Sequence, residues 1–211
     1  MRTLFFVLFF AFGSLAHGAE PRLKVLLLGD SLTEGFGVAK EDAYPALVEK
    51  KLHAAGFTAV VLHNAGIGGS TTASALSRLQ WHLKSKPQWM LLALGANDGL
   101  RGVAIPESKK NLALTIERAQ KEGIRVFLAG MRLPPNYGEK YRKEFEAMYR
   151  DLARERKLTL LPFLLEGVAG ERALNLEDGI HPNEKGHQKI ADAVYKFLQP
   201  LIQKELAHGP R

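Results

Sequence analysis

Short continuous apolar runs alternate with longer segments of helical period along this chain, a pattern that restricts it to a parallel sheet covered by crossover helices. The runs are Leu23 to Leu28, Val60 to Leu62, Met90 to Leu94 and Val126 to Leu128, with a weaker one at Thr159 to Leu161. They lack the in-out alternation of a half-solvated strand, so each is expected to be buried on both faces. Between them the spacing predicts helices over Tyr44 to Ala55, Thr72 to Leu83, Glu107 to Glu122, Tyr141 to Lys157 and Glu184 to Leu198. Pro45 stands near the first turn of the first of these, where its missing N–H is not needed, and Gly56 and Gly123 follow helix ends as C-terminal caps do. No repeat, low-complexity tract or linker interrupts the pattern. With 211 residues, the chain is expected to form one α/β domain over residues 19–211.

The first eighteen residues belong to a different pattern. Arg2 provides a positive start, Leu4 to Leu15 form an apolar run, and Ala16 and Gly18 offer small residues for cleavage after either one. The run is shorter than the roughly 20 residues a spanning helix needs, so a cleaved signal peptide is expected rather than an anchor. There is no cysteine, which excludes both lipidation at a cysteine and disulfide staples. The expected location is the periplasm or the medium. A formal charge of +7 favours acidic surfaces at long range. The basic residues are nevertheless scattered, as in Lys109, Lys110 and Arg154, Arg156, Lys157, without an aromatic-interleaved stripe. A nucleic-acid partner is therefore not expected, contact with a membrane surface is at most transient, and the protein is read as a monomer.

Open parallel sheets bind ligands beyond the carboxyl ends of their strands, so the segments that follow the apolar runs hold the candidates for chemistry. After the first run comes Gly29, Asp30, Ser31, Leu32, which sets a serine at a strand-to-helix turn. Ser31 there suits a nucleophile, and it equally suits a helix N-cap. The segment does not match the G-x-S-x-G elbow of the α/β-hydrolases. After the second run, Gly66, Gly68 and Gly69 let the backbone approach a ligand and aim an N–H at it, as any tight loop or phosphate-binding turn also would. After the third, Asn97 offers a neutral carboxamide donor for developing negative charge, or an ordinary turn residue. Near the C-terminus, Asp178 precedes His181 by three residues, close enough to hold one ring nitrogen while the other faces the crevice. A capping aspartate beside a surface histidine accounts for the same spacing.

Together these segments resemble the SGNH (GDSL-type) hydrolases, whose four blocks are represented here by Ser31, Gly69, Asn97 and His181. The finer matches Gly95 to Gly102 (GANDGLRG), Arg132 to Gly138 (RLPPNYG) and Asp178 to Asn183 (DGIHPN) are similar to its bacterial thioesterase, lysophospholipase and arylesterase subgroup. The resemblance covers essentially all of the mature chain. It implies a flavodoxin-like three-layer α/β/α sandwich with a central parallel sheet of about five strands. It also implies that Ser31 is the nucleophile, His181 the base and Asp178 its orienter, with the Ser31 N–H, the Gly69 N–H and the Asn97 side chain as the oxyanion hole. Ser70 departs from the family, whose members often carry an acidic residue there.

The activity so implied is hydrolysis of acyl esters or thioesters, including lysophospholipids, through an acyl-enzyme, with neither metal nor cofactor. Leu100, Val103, Leu133 and Tyr137 leave the third and fourth runs beside the site, where they either line an acyl groove or pack loops. Two other functions are compatible with the fold. One is removal of short acyl groups from carbohydrates, as in O-acetyl esterases; the other is a non-catalytic lipid or glycan carrier, which an absent serine, histidine or asparagine would have favoured.

Overall fold

The computed structural model describes residues 23–207, so the expected signal segment and its cleavage points lie outside the described residues. Five strands form the sheet: β1 (Leu23–Gly29), β2 (Val60–Gly66), β3 (Trp89–Ala93), β4 (Arg125–Ala129) and β5 (Thr159–Leu161). All pair in parallel, in the order β2-β1-β3-β4-β5, which is the flavodoxin-like order. β1 and β3 occupy the middle, and nearly all their side chains are buried, as continuous apolar runs require.

The helices are α1 (Ser31–Glu34), α2 (Tyr44–Ala54), α3 (Ala75–His82), α4 (Ala96–Leu100), α5 (Ile105–Lys121), α6 (Glu139–Arg156) and α7 (Glu184–Ala207). α2 packs on α7, while α3, α5 and α6 pack in succession, so two helical layers enclose the sheet. The core is apolar almost throughout, with Trp89, Phe127, Phe145, Leu26 and Leu91 among its largest fully buried side chains.

Most elements end within two residues of their expected bounds, and three differ by more, each for a physical reason. β2 runs beyond Leu62 to Gly66 because it is an edge strand: half its side chains meet solvent, so Asn64 belongs to it without an apolar signature. The helix expected from Thr72 begins instead as a 3₁₀ turn, Thr72–Ser74, where the Asp98 carboxylate takes the Thr72 N–H. α7 continues past Leu198 and through Pro200, because Leu198 and Ile202 keep its apolar face buried on both sides of the proline. That packing offsets the missing backbone hydrogen bond.

The chain leaves β1 to build β2 on one side, then returns across β1 to build β3 on the other. The carboxyl ends of β1 and β3 therefore flank the topological switch point, the crevice where sheets of this order hold ligands.

Candidate active site

Ser31 lies two residues beyond the end of β1 and opens α1. The cap of this short helix is Asp30, whose Oδ1 accepts from the Leu32 N–H at 3.0 Å. Asp30 thus takes the capping role that Ser31 was equally suited to, and the serine hydroxyl is free to point elsewhere. It meets Nε2 of His181 at 3.0 Å. Nδ1 of the same ring lies 2.7 Å from Oδ2 of Asp178. Serine, imidazole and carboxylate therefore form one continuous hydrogen-bonded line, although the serine and the histidine are 150 positions apart.

The loop that presents His181 is pinned at several points. Asp178 Oδ1 accepts from the N–H groups of Ile180 and His181, both at 2.9 Å, and Leu176 N–H donates to the His181 carbonyl at 2.7 Å. Asn183 donates to the Ala173 and Asn175 carbonyls and accepts from Gly186 N–H in the first turn of α7. The two backbone donors and the imidazole hold the Asp178 carboxyl down at about 2, so it is ionised at any pH at which the imidazole acts as a base.

Asn97 lies in α4, immediately after Gly95 at φ 118°, a conformation that favours glycine. A side chain at position 95 would also strike the Tyr149 hydroxyl, which donates to the Leu94 carbonyl at 3.0 Å. Asn97 Nδ2 donates to the Ser70 carbonyl at 3.0 Å, which fixes the carboxamide and leaves its second N–H unused. Gly69, at φ 71°, sits just before Ser70 in the loop that leaves β2, and its carbonyl accepts from Arg101 at 3.1 Å. Among the described residues, neither the Ser31 nor the Gly69 N–H donates to a backbone carbonyl. Two backbone donors and one carboxamide donor thus belong to three loops at the same end of the sheet.

The apolar residues singled out from sequence occupy different settings. Leu133 is buried at 5% exposure, and the space beside Gly99 is filled by Leu133 and Phe145, which favours loop packing for Leu133. Tyr137 donates its hydroxyl to the Leu100 carbonyl at 3.0 Å, and Tyr141 does the same for Val103. These contacts join the segment after β4 to the segment after β3.

Other residues near the site were not singled out from the sequence. Asp98 is buried and ties two site loops together, accepting from Thr72 N–H at 2.9 Å, Thr72 Oγ1 at 2.5 Å and Ser108 Oγ at 3.2 Å. Asp30 is fully buried, and its desolvation pushes the carboxyl up to about 6. Phe36 leans on the His181 ring with centroids 4.5 Å apart. Phe36, Ile67 and Ile180 are each about half exposed, and each belongs to a loop that carries a candidate site residue. Their positions in three separate loops gave no periodic signal; Ile67 and Ile180 stood next to recognised motif residues, which was the available clue.

An α/β fold of this order with such a constellation at its switch point defines an SGNH-type hydrolase, a class that acts on ester bonds. The chain belongs to the GDSL-like Lipase/Acylhydrolase family, which it matches over residues 27–189. Esterase TesA of Pseudomonas aeruginosa is 38% identical over 179 residues, covering 84% of this chain and 89% of that protein. A crystal structure of TesA covers 84% of this chain and 99% of its own, with a TM-score of 0.81. Thioesterase 1/protease 1/lysophospholipase L1 of Escherichia coli is 39% identical over 182 residues, 86% of each chain. A structure of the psychrotrophic esterase EstA from Pseudoalteromonas sp., inhibited by monoethylphosphonate, is 32% identical, covers 85% of this chain and 98% of its own, and has a TM-score of 0.81.

Proposed function

We propose that this protein is an exported serine esterase that hydrolyses carboxylic esters or thioesters of acyl chains through an acyl-enzyme on Ser31. The observation that carries the reading is the line from Ser31 Oγ through both His181 nitrogens to Asp178, at 3.0 and 2.7 Å. In the first step Ser31 Oγ attacks the carbonyl carbon and His181 Nε2 takes its proton, while Asp178 holds the ring and stabilises the imidazolium. Negative charge moves to the carbonyl oxygen, where the Ser31 N–H, the Gly69 N–H and the second N–H of Asn97 receive it. His181 then gives the proton to the leaving alcohol or thiol. Water activated by the same ring attacks the acyl-serine and releases the acid.

The half-exposed Phe36, Ile67 and Ile180 support an acyl chain as the group recognised, and they join Leu100, Val103 and Tyr137 as lining candidates in place of the buried Leu133. Inhibition of EstA by a phosphonate supports the covalent step, since tetrahedral phosphorus esters trap activated hydroxyl groups. Export is supported by the Arg2 and Leu4 to Leu15 pattern and by the absence of cysteine, and leads to the periplasm or the medium. Substrates would be small acyl esters, thioesters or lysophospholipids met by a monomer, with at most passing contact with a membrane surface.

A panel of p-nitrophenyl esters of increasing length, run beside a lysophospholipid and an acyl-CoA, tests this reading. It predicts that kcat/KM rises about two- to fourfold per added methylene while the chain lies on the apolar rim, because each buried methylene is worth up to about 0.8 kcal/mol. Ser31→Ala abolishes all of it. Hydrolysis confined to acetyl esters would turn the reading toward a carbohydrate O-acetyl esterase, and undiminished turnover by Ser31→Ala would end it.

A further inference from the structure

Arg78 has no part in the constellation described above, yet its guanidinium reaches beneath it. The side chain extends from α3, and Nη2 donates at once to the Gly29 carbonyl, at 2.9 Å, and to the Ala65 carbonyl. Gly29 ends β1 two residues before Ser31, and Ala65 lies four residues before Gly69 on β2. One nitrogen therefore joins the origin of the nucleophile turn to the origin of the glycine loop. Little slack exists between those two segments. Ile67 N–H already donates to the Gly29 carbonyl at 3.3 Å, and a side chain at Gly66 would collide with the backbone of Thr33 and Glu34.

Arginine suits this place for reasons that go beyond packing. Its fork keeps its charge when partly desolvated, whereas a neutral donor leaves the partial charge of two strand-end carbonyls uncompensated. A buried anion lies close by as well: the Arg78 charge helps to lower the Asp30 carboxyl against the effect of burial, and Asp30 in turn helps to keep Arg78 protonated. The Asp30 Oδ2 and the Arg78 Nε and Nη1 atoms are buried without hydrogen bonds, so the attraction between the two side chains acts through space. An ionised Asp30 alone would favour the imidazolium while opposing an oxyanion at the neighbouring Ser31 N–H. The Arg78 cation offsets the second effect.

We propose that Arg78 is a positioning residue for ester hydrolysis: by holding the Gly29 and Ala65 carbonyls on one guanidinium nitrogen, it sets the spacing between the Ser31 hydroxyl and the Gly69 oxyanion donor. The proposal rests on Ser31 and Gly69 having the roles given under the proposed function. Its effect belongs to the transition state, because the ground-state ester needs neither atom at its final distance.

The test compares Arg78→Met, Arg78→Gln and Arg78→Lys with the wild type on p-nitrophenyl butyrate, with kcat expressed per active site titrated by a phosphonate probe and melting curves recorded on the same samples. Titration removes any loss that arises only from misfolded protein. Arg78→Met and Arg78→Gln should lower kcat per titrated site about 10- to 100-fold, the scale of a displacement near 1 Å, with KM within about twofold. Arg78→Lys, whose ammonium can still donate to both carbonyls, should recover most of that loss. The proposal is overturned if kcat per titrated site is unchanged in Arg78→Met and Arg78→Gln while only the melting temperature falls, or if Arg78→Lys is as impaired as Arg78→Met. An inactive wild type or a fully active Ser31→Ala would instead reject the functional reading on which it stands, so the two failures are separable.

Discussion

At the scale of single residues, the site depends on side chains whose competing hydrogen bonds have been removed. Asp30 takes over the helix cap from Ser31, and the Ser70 carbonyl occupies one N–H of Asn97 so that the other keeps a fixed direction. If that second N–H receives the oxyanion, Asn97→Ala should lower kcat by roughly 10² to 10³ with KM little changed. The melting temperature should move only slightly, because a part-buried amide bonded to one loop carbonyl contributes on the order of 1 kcal/mol. Kinetics and a melting curve on one preparation check this, and a destabilised variant with normal turnover would return Asn97 to the role of a turn residue. Ser31, Asn97, Asp178 and His181 were picked out in the sequence by their places after apolar runs or by their three-residue spacing, each with a bland alternative, and only the family resemblance gave them joint roles. Asp30, Arg78 and Asp98 were not: Arg78 and Asp98 act on partners supplied by other loops, and nothing beside Asp30 in sequence reports its burial.

At the scale of elements, the turn that carries Ser31 is fastened to α2 and α7 by a buried polar chain. Thr33 Oγ1 meets the Tyr44 hydroxyl at 2.9 Å, and Tyr44 N–H donates to His187 Nδ1 at 3.3 Å. Burial lowers the His187 pKa from 6.5 to about 4, whereas burial raises that of Asp30 from 3.8 to about 6. The two signs oppose each other. Between about pH 4 and 6.5 the unfolded chain binds a proton at His187 that the folded chain does not, so this group makes stability rise with pH. Between 3.8 and about 6 the folded chain keeps a proton at Asp30 that the unfolded chain has lost, so that group makes stability fall with pH. The wild type should therefore show a shallow melting-temperature profile from pH 4 to 6. His187→Gln should leave a profile that falls with pH in this window, and Asp30→Asn one that rises. Parallel profiles for the two variants would contradict both assignments. The central strands and most helices were readable from apolar period, while the extent of β2 was hidden by its place at the sheet edge. The true end of α7 was hidden by a proline that tertiary packing overrides.

At the scale of the whole molecule, strand order alone decides where the chemistry lies. Reversal of winding direction after β2 opens a crevice at the ends of β1 and β3, and the loops bearing Ser31, Gly69, Asn97 and His181 converge there from positions spread over the full length of the chain. Alternation of runs and helices was sufficient to anticipate a parallel sheet, although the order of its strands came only from family resemblance, because no periodicity records which strands are neighbours. If the protein is exported, intact-mass measurement of the form recovered from a native host should give a chain beginning at His17 or Ala19, after cleavage behind Ala16 or Gly18. A mature chain that retains Met1 would contradict the export reading while leaving the catalytic one untouched. The catalytic reading is tested most directly by reacting the folded protein with a fluorophosphonate and mapping the adduct by peptide mass spectrometry. A single phosphonyl group is expected on Ser31, formed in step with the loss of esterase activity and absent from Ser31→Ala. Loss of activity with Ser31 unmodified and the label on another residue would contradict it.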